Sequence, residues 1–345
     1  MKSQPNTTKP KDWDKQILKN PDGGNVFQSA EFGKLKAYSG WRMLQLQTGG
    51  VAVTVVEKYL HGLGKLWYLP KGPGITNTVE LKKVLQDLKQ TAKSSGVFAI
   101  KVEPELTKTK NNKKKLRSLG LVPTAPVQPN FSTITLDLSP KLEDIMSGLN
   151  QKGRHAIRRA ERDGVKAHAV AATDINCRKM YKLFSTTAEG RFAVRSYEYH
   201  KEFWQSFEKA GIGQMFFAYY EGKIVAAAYA FTFGKKSTYK DGASIRLKTA
   251  YGASHLLQWE VIKWAKSRGS TWHDLCGAPP SDQINNPDHP HYGIGRFKTS
   301  FNKQVTDYVG AYDLPIRPLS YKLWQKVCQK IALRLNWMLK HESWY

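Results

Sequence analysis

The side chains best suited to chemistry in this chain are cations and aromatics: Lys36, Arg191, Arg195, Tyr197, Tyr199, Tyr239, Arg296, Phe297 and Lys298. Without a conventional nucleophile, metal or cofactor, such a set can act only by positioning two reactants and stabilising developing negative charge. An activated acyl donor attacked by an amine fits that description. Patterns for other chemistries are missing: there is no His-Glu-x-x-His, no P-loop and no nucleophile elbow. His289 and His291 flank Pro290 near Asp282 and Asp288, at a spacing that matches no established metal site, so neither metal nor cofactor is expected. Asp274 and Cys276 stand beside Gly277 at the end of a strand-like run, a place for a functional carboxylate or thiol, although a satisfied Asp and a buried Cys are the ordinary use there. The densest grouping is residues 292–301, Tyr-Gly-Ile-Gly-Arg-Phe-Lys-Thr-Ser-Phe. It reads as a glycine-loosened binding loop leading into a short helix, or else as a surface loop with solvated cations.

These residues need a scaffold and a partner. The 345-residue chain is long enough for two domains, and at 41% hydrophobic it can bury a sizeable core. Lys and Arg number 54 against 28 Asp and Glu, and the net charge of +26 exceeds what solubility requires, which points to a polyanionic partner. Cys177, Cys276 and Cys328 are far apart and odd in number, which argues against a disulfide framework and for a reducing compartment. The polar N-terminus lacks the apolar core of a signal peptide. The most apolar run, residues 224–233, is about half a membrane span. A cytoplasmic, non-integral protein is expected.

The patterning predicts an α+β fold of two similar halves, each ordered helix, meander, helix, strand. Residues 1–25 read as a loose lead-in. Ser29 caps a short helix, strands follow at 42–47, 51–57 and 65–69, then a helix at 79–95 and a strand at 97–102. The lysine-rich run 108–117 suits a solvated helix face. After the strand at 133–138, Pro140 marks the boundary, giving a first domain of 1–139 and a second of 140–316. The second half predicts a helix at 142–163, another at 174–187, strands at 214–220, 224–233 and 237–241, a helix at 252–267 and a strand at 271–275. The tail, 319–339, reads as a basic amphipathic helix. Trp324, Val327, Ile331, Leu335 and Met338 form one stripe, expected to pack on the first domain, with Lys322, Lys326, Lys330 and Arg334 elsewhere. Peripheral membrane contact is the alternative use.

This order resembles tandem GNAT-type acyltransferase modules, and specifically the FemABX family, over about residues 27–316. The first half carries Phe27-Gln28-Ser29, Phe32, Lys36 with Gly40-Trp41, Tyr68-Leu69-Pro70-Lys71-Gly72-Pro73, Val102-Glu103-Pro104 and Val127-Gln128-Pro129. The second carries the basic run 153–164, Phe192 with Arg195 and Tyr199, Asp274 to Gly277, Phe297-Lys298 and Asp313-Leu314-Pro315-Ile316. Asn302-Lys303 stands where the family often has a glycine pair, and there is no long helical-hairpin insertion. The resemblance implies transfer of an amino acid from aminoacyl-tRNA to an amino group, normally on the third residue, of the stem peptide of a UDP-linked or lipid-linked peptidoglycan precursor. By position, Lys36 and Arg195 would grip the diphosphate, with Tyr199 and Tyr239 placing the precursor and Arg191 and Tyr197 as neighbouring alternatives. Phe297 and Lys298 would face the aminoacyl end of the tRNA and the reacting carbonyl. Lys152, Arg154, Arg158, Arg159, Arg162 and Arg296 are the candidates for the tRNA surface, with 113–117 as a further patch. A monomer is expected, with peripheral contact at the inner membrane face.

Two other readings stay open. An acyl-CoA-dependent N-acyltransferase would need a glycine-rich pyrophosphate loop, but residues 246–253, Arg-Leu-Lys-Thr-Ala-Tyr-Gly-Ala, have the wrong spacing and a Tyr where a small residue belongs. A non-catalytic RNA-binding or membrane-surface protein would explain the charge and leave the motif order unexplained.

Overall fold

The computed structural model describes residues 10–128, 131–188, 194–245, 247, 249–340 and 344–345. Pro129, Arg191, Phe192, Arg246 and Lys248, named in the readings above, lie outside the described residues, as do residues 1–9 of the lead-in. The chain divides into two units, one running to Phe131 and resuming at Asp307–Tyr345, the other Ser132–Thr306.

The first unit opens with α1 (Pro10–Leu18), α2 (Ala30–Tyr38), β1 (Arg42–Thr48), β2 (Val51–Leu60) and β3 (Gly64–Leu69). It continues with α3 (Thr78–Ser94), β4 (Val97–Val102), α4 (Lys110–Ser118) and β5 (Val122–Thr124). The lead-in expected to be loose is therefore partly helical. Trp13 and Ile17 bury one face of α1, and the Trp13 indole donates to the Thr54 hydroxyl at 2.8 Å. Ser29 caps α2 by accepting the Phe32 N–H, and Asn77 caps α3, whose stripe of Leu81, Val84, Leu85 and Leu88 is buried. Crossing over through α3 makes β3 and β4 parallel neighbours, while β1, β2 and β3 pair antiparallel.

The second unit contains β6 (Ser132–Asp137), α5 (Leu142–Gly148), α6 (Gln151–Arg162), β7 (Lys166–Val170), α7 (Asp174–Ala188) and α8 (Tyr197–Lys209). Then follow β8 (Gly213–Tyr220), β9 (Lys223–Phe233), β10 (Lys236–Ser244), α9 (Ala253–Ser267), β11 (Trp272–Asp274), α10 (Tyr292–Lys298) and β12 (Val305–Asp307). The single helix expected over 142–163 is two, because Leu149 and Asn150 take extended backbone angles between α5 and α6. α8, unforeseen in the sequence, is capped by Ser196 and buries Phe203, Trp204 and Phe207.

The two sheets exchange strands across the expected boundary. β6, read as the last strand of the first half, pairs antiparallel with β11, with Trp272 opposite Asp137 and Asp274 opposite Thr135. In return β13 (Ala311–Pro315) enters the first sheet between β4 and β5, giving the order β1-β2-β3-β4-β13-β5. The other sheet runs β12-β6-β11-β10-β9-β8-β7. A boundary at 139/140 followed the proline punctuation, whereas the two compact units divide at 131/132 and again at 306/307.

The chain finishes with α11 (Pro318–Leu323), a π-helical turn over Trp324–Cys328 and α12 (Gln329–Lys340). Only part of the expected stripe packs. Trp324 is 1% exposed, but Val327, Ile331, Leu335 and Met338 lie at 46%, 52%, 50% and 62%. The anchors are Tyr321, Trp324, Trp344 and Tyr345, clustered with Trp41, Tyr68 and Phe98 of the first unit.

Candidate active site

Lys298 ends α10 and is 7% exposed. The stretch 292–301 is thus helical from Tyr292 onward, not a loop that leads into a helix, and its pitch turns Lys298 inward while Arg296 stays exposed. The Lys298 ammonium donates to the Gly277 carbonyl at 2.6 Å and sits 5.9 Å from the centre of the Tyr239 ring. Among the described residues it forms no ion pair. Burial pushes its pKa down from 10.5 to about 8, against the weaker upward pull of Cys276 and Asp274.

The carbonyl that receives Lys298 is aimed by a tight turn. Cys276 and Gly277 both take left-handed angles, φ 56° and 60°. One oxygen of Asp274 accepts the Cys276 N–H at 2.7 Å and also the Thr133 hydroxyl. Asp274 therefore holds the loop that holds the lysine, and Thr133 and the Gly277 carbonyl join the site without having been legible as site residues.

Tyr239 lies where the pairing of β10 with β9 is irregular, between Tyr239 and Asp241. Its ring runs along the strand over Gly242, where a Cβ would stand 1.6 Å from the Tyr239 oxygen, so only glycine leaves room for it. Burial raises the Tyr239 pKa, and the phenol stays protonated. Phe297 is half-buried, edge-on to His255 at 4.9 Å and to Phe301 at 5.4 Å. Burial, and then the charge of Lys152, lowers the pKa of His255 to about 4, so this aromatic bed is neutral at physiological pH.

Arg195 and Tyr199 form a second pair in the same unit. The guanidinium stacks 4.4 Å from the Tyr199 ring, which in turn lies parallel to Phe203. Tyr181 fixes the loop by donating to the Arg195 carbonyl at 2.9 Å. Tyr197, the alternative to Tyr199, carries Arg178 over its ring at 5.1 Å. In the first unit, Lys36 is 2% exposed on α2, with its ammonium 5.4 Å from the centre of the Phe32 ring.

The cations of α6 divide by what they touch. Arg154 donates to the Ser147 carbonyl at 2.8 Å and to that of Leu149, capping the end of α5. Arg159 binds Asp163 at 3.2 Å and covers the Tyr251 ring, and Arg162 approaches Asp163 at 3.7 Å. Lys152 and Arg158 project into solvent. His289 and His291 have ring centres 5.7 Å apart, and among the described residues no group of His, Cys, Asp and Glu is assembled as a metal site.

The FemAB family pattern matches residues 211–329, which include β9, β10, α9 and the whole Lys298 loop. Over that stretch the chain is similar to the FemAB family. Over 274 residues it is 28% identical to the UDP-N-acetylmuramoylpentapeptide-lysine N(6)-alanyltransferase of Weissella viridescens, covering 74% of this chain and 78% of that protein. It is 20% identical over 400 residues to the lipid II:glycine glycyltransferase of Staphylococcus epidermidis, covering 92% and 94%. The crystal structure of FemX matches with a TM-score of 0.77 at 17% identity over 92% of this chain and 99% of that one, a likeness of fold. The α+β fold of two GNAT-like units is therefore like that of FemX.

Two features of the sequence acquire a physical reason. Gly153 opens the basic run, and a Cβ there would lie 2.3 Å from the Ser300 carbonyl oxygen, so α6 can touch the turn after Lys298 only with glycine at this position. Where the family often has a glycine pair, Asn302 donates to the Thr135 carbonyl at 2.7 Å and accepts the Gln304 N–H, fixing the turn with a side chain.

Proposed function

We propose that this chain transfers an amino acid from aminoacyl-tRNA to an amino group on the stem peptide of a peptidoglycan precursor, building a cell-wall cross-bridge. The observation that carries the reading is a buried lysine, in a FemX-like fold, held by a neutral carbonyl and by no carboxylate among the described residues. An ammonium has several N–H donors, so the bond to Gly277 leaves others for a substrate. The acceptor amine attacks the ester carbonyl of the donor, a C–N bond forms, and the carbonyl electrons move to oxygen. Lys298 stabilises that oxyanion. As the ester C–O bond breaks, the terminal ribose oxygen leaves as a hydroxyl, and a pKa near 8 suits Lys298 to hydrogen-bond it or hand it a proton. The amine's proton passes to a substrate group or to water.

Phe297 and its aromatic neighbours offer an edge on which the tRNA terminus can rest, and Lys152, Arg158 and Arg296 supply exposed charge for its backbone. Arg195 and Tyr199, with Lys36 and Tyr239, are assigned to the diphosphate and sugar of the precursor. Work at the cytoplasmic membrane face, by peripheral contact, is part of the same reading. The test is to incubate the protein with charged tRNA and with UDP-linked or lipid-linked precursor and weigh the product. A mass increase of one aminoacyl residue that depends on charged tRNA supports the reading; none with either precursor, over a panel of charged tRNAs, overturns it.

A further inference from the structure

The helical tail carries a surface that the transfer reaction does not use. Its inner side is committed: Tyr321 and Trp324 are buried, Trp324 meets Phe98 at 6.0 Å and Trp344 at 5.3 Å, and Tyr345 stacks on Trp41 at 5.9 Å. Its outer side is apolar and open. Leu319, Leu323, Val327, Ile331 and Leu335 recur at every fourth residue, exposed at 83%, 51%, 46%, 52% and 50%, and Met338 extends them at 62%. Lys322, Lys326, Lys330 and Arg334 form a second row at the same spacing, all exposed.

On a regular α-helix, rows at this spacing would drift by ~40° per step and wind away from any flat partner. The π-helical turn at Trp324–Cys328 has more residues per turn and takes back part of that drift. It thereby keeps an apolar row and a cationic row side by side on the exposed side of the helix. We infer that this face docks on an anionic lipid surface, its apolar row entering the acyl boundary and its cations lying among the headgroups. Charge complementarity selects that occupant, since residues 318–340 contain no Asp or Glu. Two copies of so basic a face repel one another, and an apolar row of this length has no use against a nucleic-acid backbone. The segment lies on the surface rather than spanning it, because no described helix is long and apolar enough to cross a membrane. The inference deepens the peripheral placement proposed above and is independent of the transfer chemistry.

Sedimentation of the full chain with vesicles of phosphatidylcholine, alone or mixed with phosphatidylglycerol, tests it. Binding to the mixed vesicles is expected to exceed binding to phosphatidylcholine by at least about tenfold at low salt. Replacing Lys322, Lys326, Lys330 and Arg334 by Gln should remove that preference, and Leu323→Glu/Ile331→Glu/Leu335→Glu should abolish binding to both. Because three acidic side chains could loosen the helix, Leu319→Ser/Met338→Ser serves as a milder variant, expected to bind severalfold less at an unchanged Tm. The proposal falls if the wild type ignores the mixed vesicles, if the triple variant binds as well as the wild type, or if the face proves to be a dimer interface in solution. Transfer to a soluble UDP-linked precursor should survive in the triple variant, which separates failure of docking from failure of the proposed chemistry.

Discussion

Two of the buried lysines, one in each unit, keep opposite company. Lys101, in the first unit, is fully buried, lies 2.9 Å from an Asp313 carboxylate oxygen, and donates to the Thr124 hydroxyl at 3.1 Å. Lys298, in the second, has a neutral carbonyl and an aromatic ring. The first cation is neutralised and its bonding is spent on the fold. The second is desolvated with no carboxylate in ion-pair contact among the described residues, only the weaker pull of Asp274 and Cys276 nearby, so much of its electrostatic reach is kept for whatever negative charge enters beside it. Burial alone therefore does not single out Lys298; the proposal rests on burial together with the absence of an ion pair among the described residues.

The sharpest way to break that contrast is to remove each charge in turn. Lys298→Met should lower kcat by about 10²- to 10³-fold, with tRNA affinity nearly intact and thermal stability unchanged or raised. Lys101→Met strands a buried carboxylate and should cost ~3–5 kcal/mol in denaturant unfolding. If Lys298→Met unfolds the protein and leaves the turnover of the folded fraction intact, the comparison is wrong.

pH separates the two roles further. Transfer needs the protonated ammonium, so the rate should fall as pH rises through about 8, the value burial gives Lys298. Stability should move the other way. The unfolded lysine, at 10.5, binds its proton more tightly than the folded one, so this group makes the fold more stable as pH climbs from about 8 towards 10.5. Opposite slopes in a pH-rate profile and a pH-melting series would sharpen the assignment, and an alkaline limb that persists in Lys298→Met would refute it.

A smaller effect is expected from Gly242→Ala, which has to move the Tyr239 ring off the strand. About a tenfold loss in kcat/KM, matched by Tyr239→Ala, is the expected kinetic result. Smallest of all, Lys152→Gln and Arg158→Gln should each weaken tRNA binding modestly and reduce the salt slope by about one. Arg154→Gln should instead lower Tm, since its guanidinium caps α5.

Much of this was legible because it rests on local rules. The Ser29 cap, the α3 stripe and the strands β8 and β9 follow from spacing of apolar residues and turn chemistry, and the stretch 292–301 stood out as cations bracketed by aromatics in a glycine-loosened segment, within which the resemblance pointed to Phe297 and Lys298. What was hidden depends on contacts distant in sequence. Nothing near Thr133 announces its bond to Asp274, 141 residues away. The tail helix misled for a related reason. A stripe counted at regular helical pitch placed Trp324 with Val327 and Ile331, but a π turn splits them between core and solvent. The placement of β6 was similarly obscured, since Pro140 is strong local punctuation and strand pairing is not local at all.

That exchange of strands imposes an order on biosynthesis. β13 fills an interior position in the first sheet, yet its residues follow the entire second unit in the chain. A ribosome that has made the first 131 residues has supplied β4 with one neighbour and left its other edge open. The amino-terminal unit cannot close until residues 311–315 emerge, so the second unit, begun later, is the first that can be completed. Throughout that interval the unfinished sheet edge is the part of the nascent chain most exposed to mispairing.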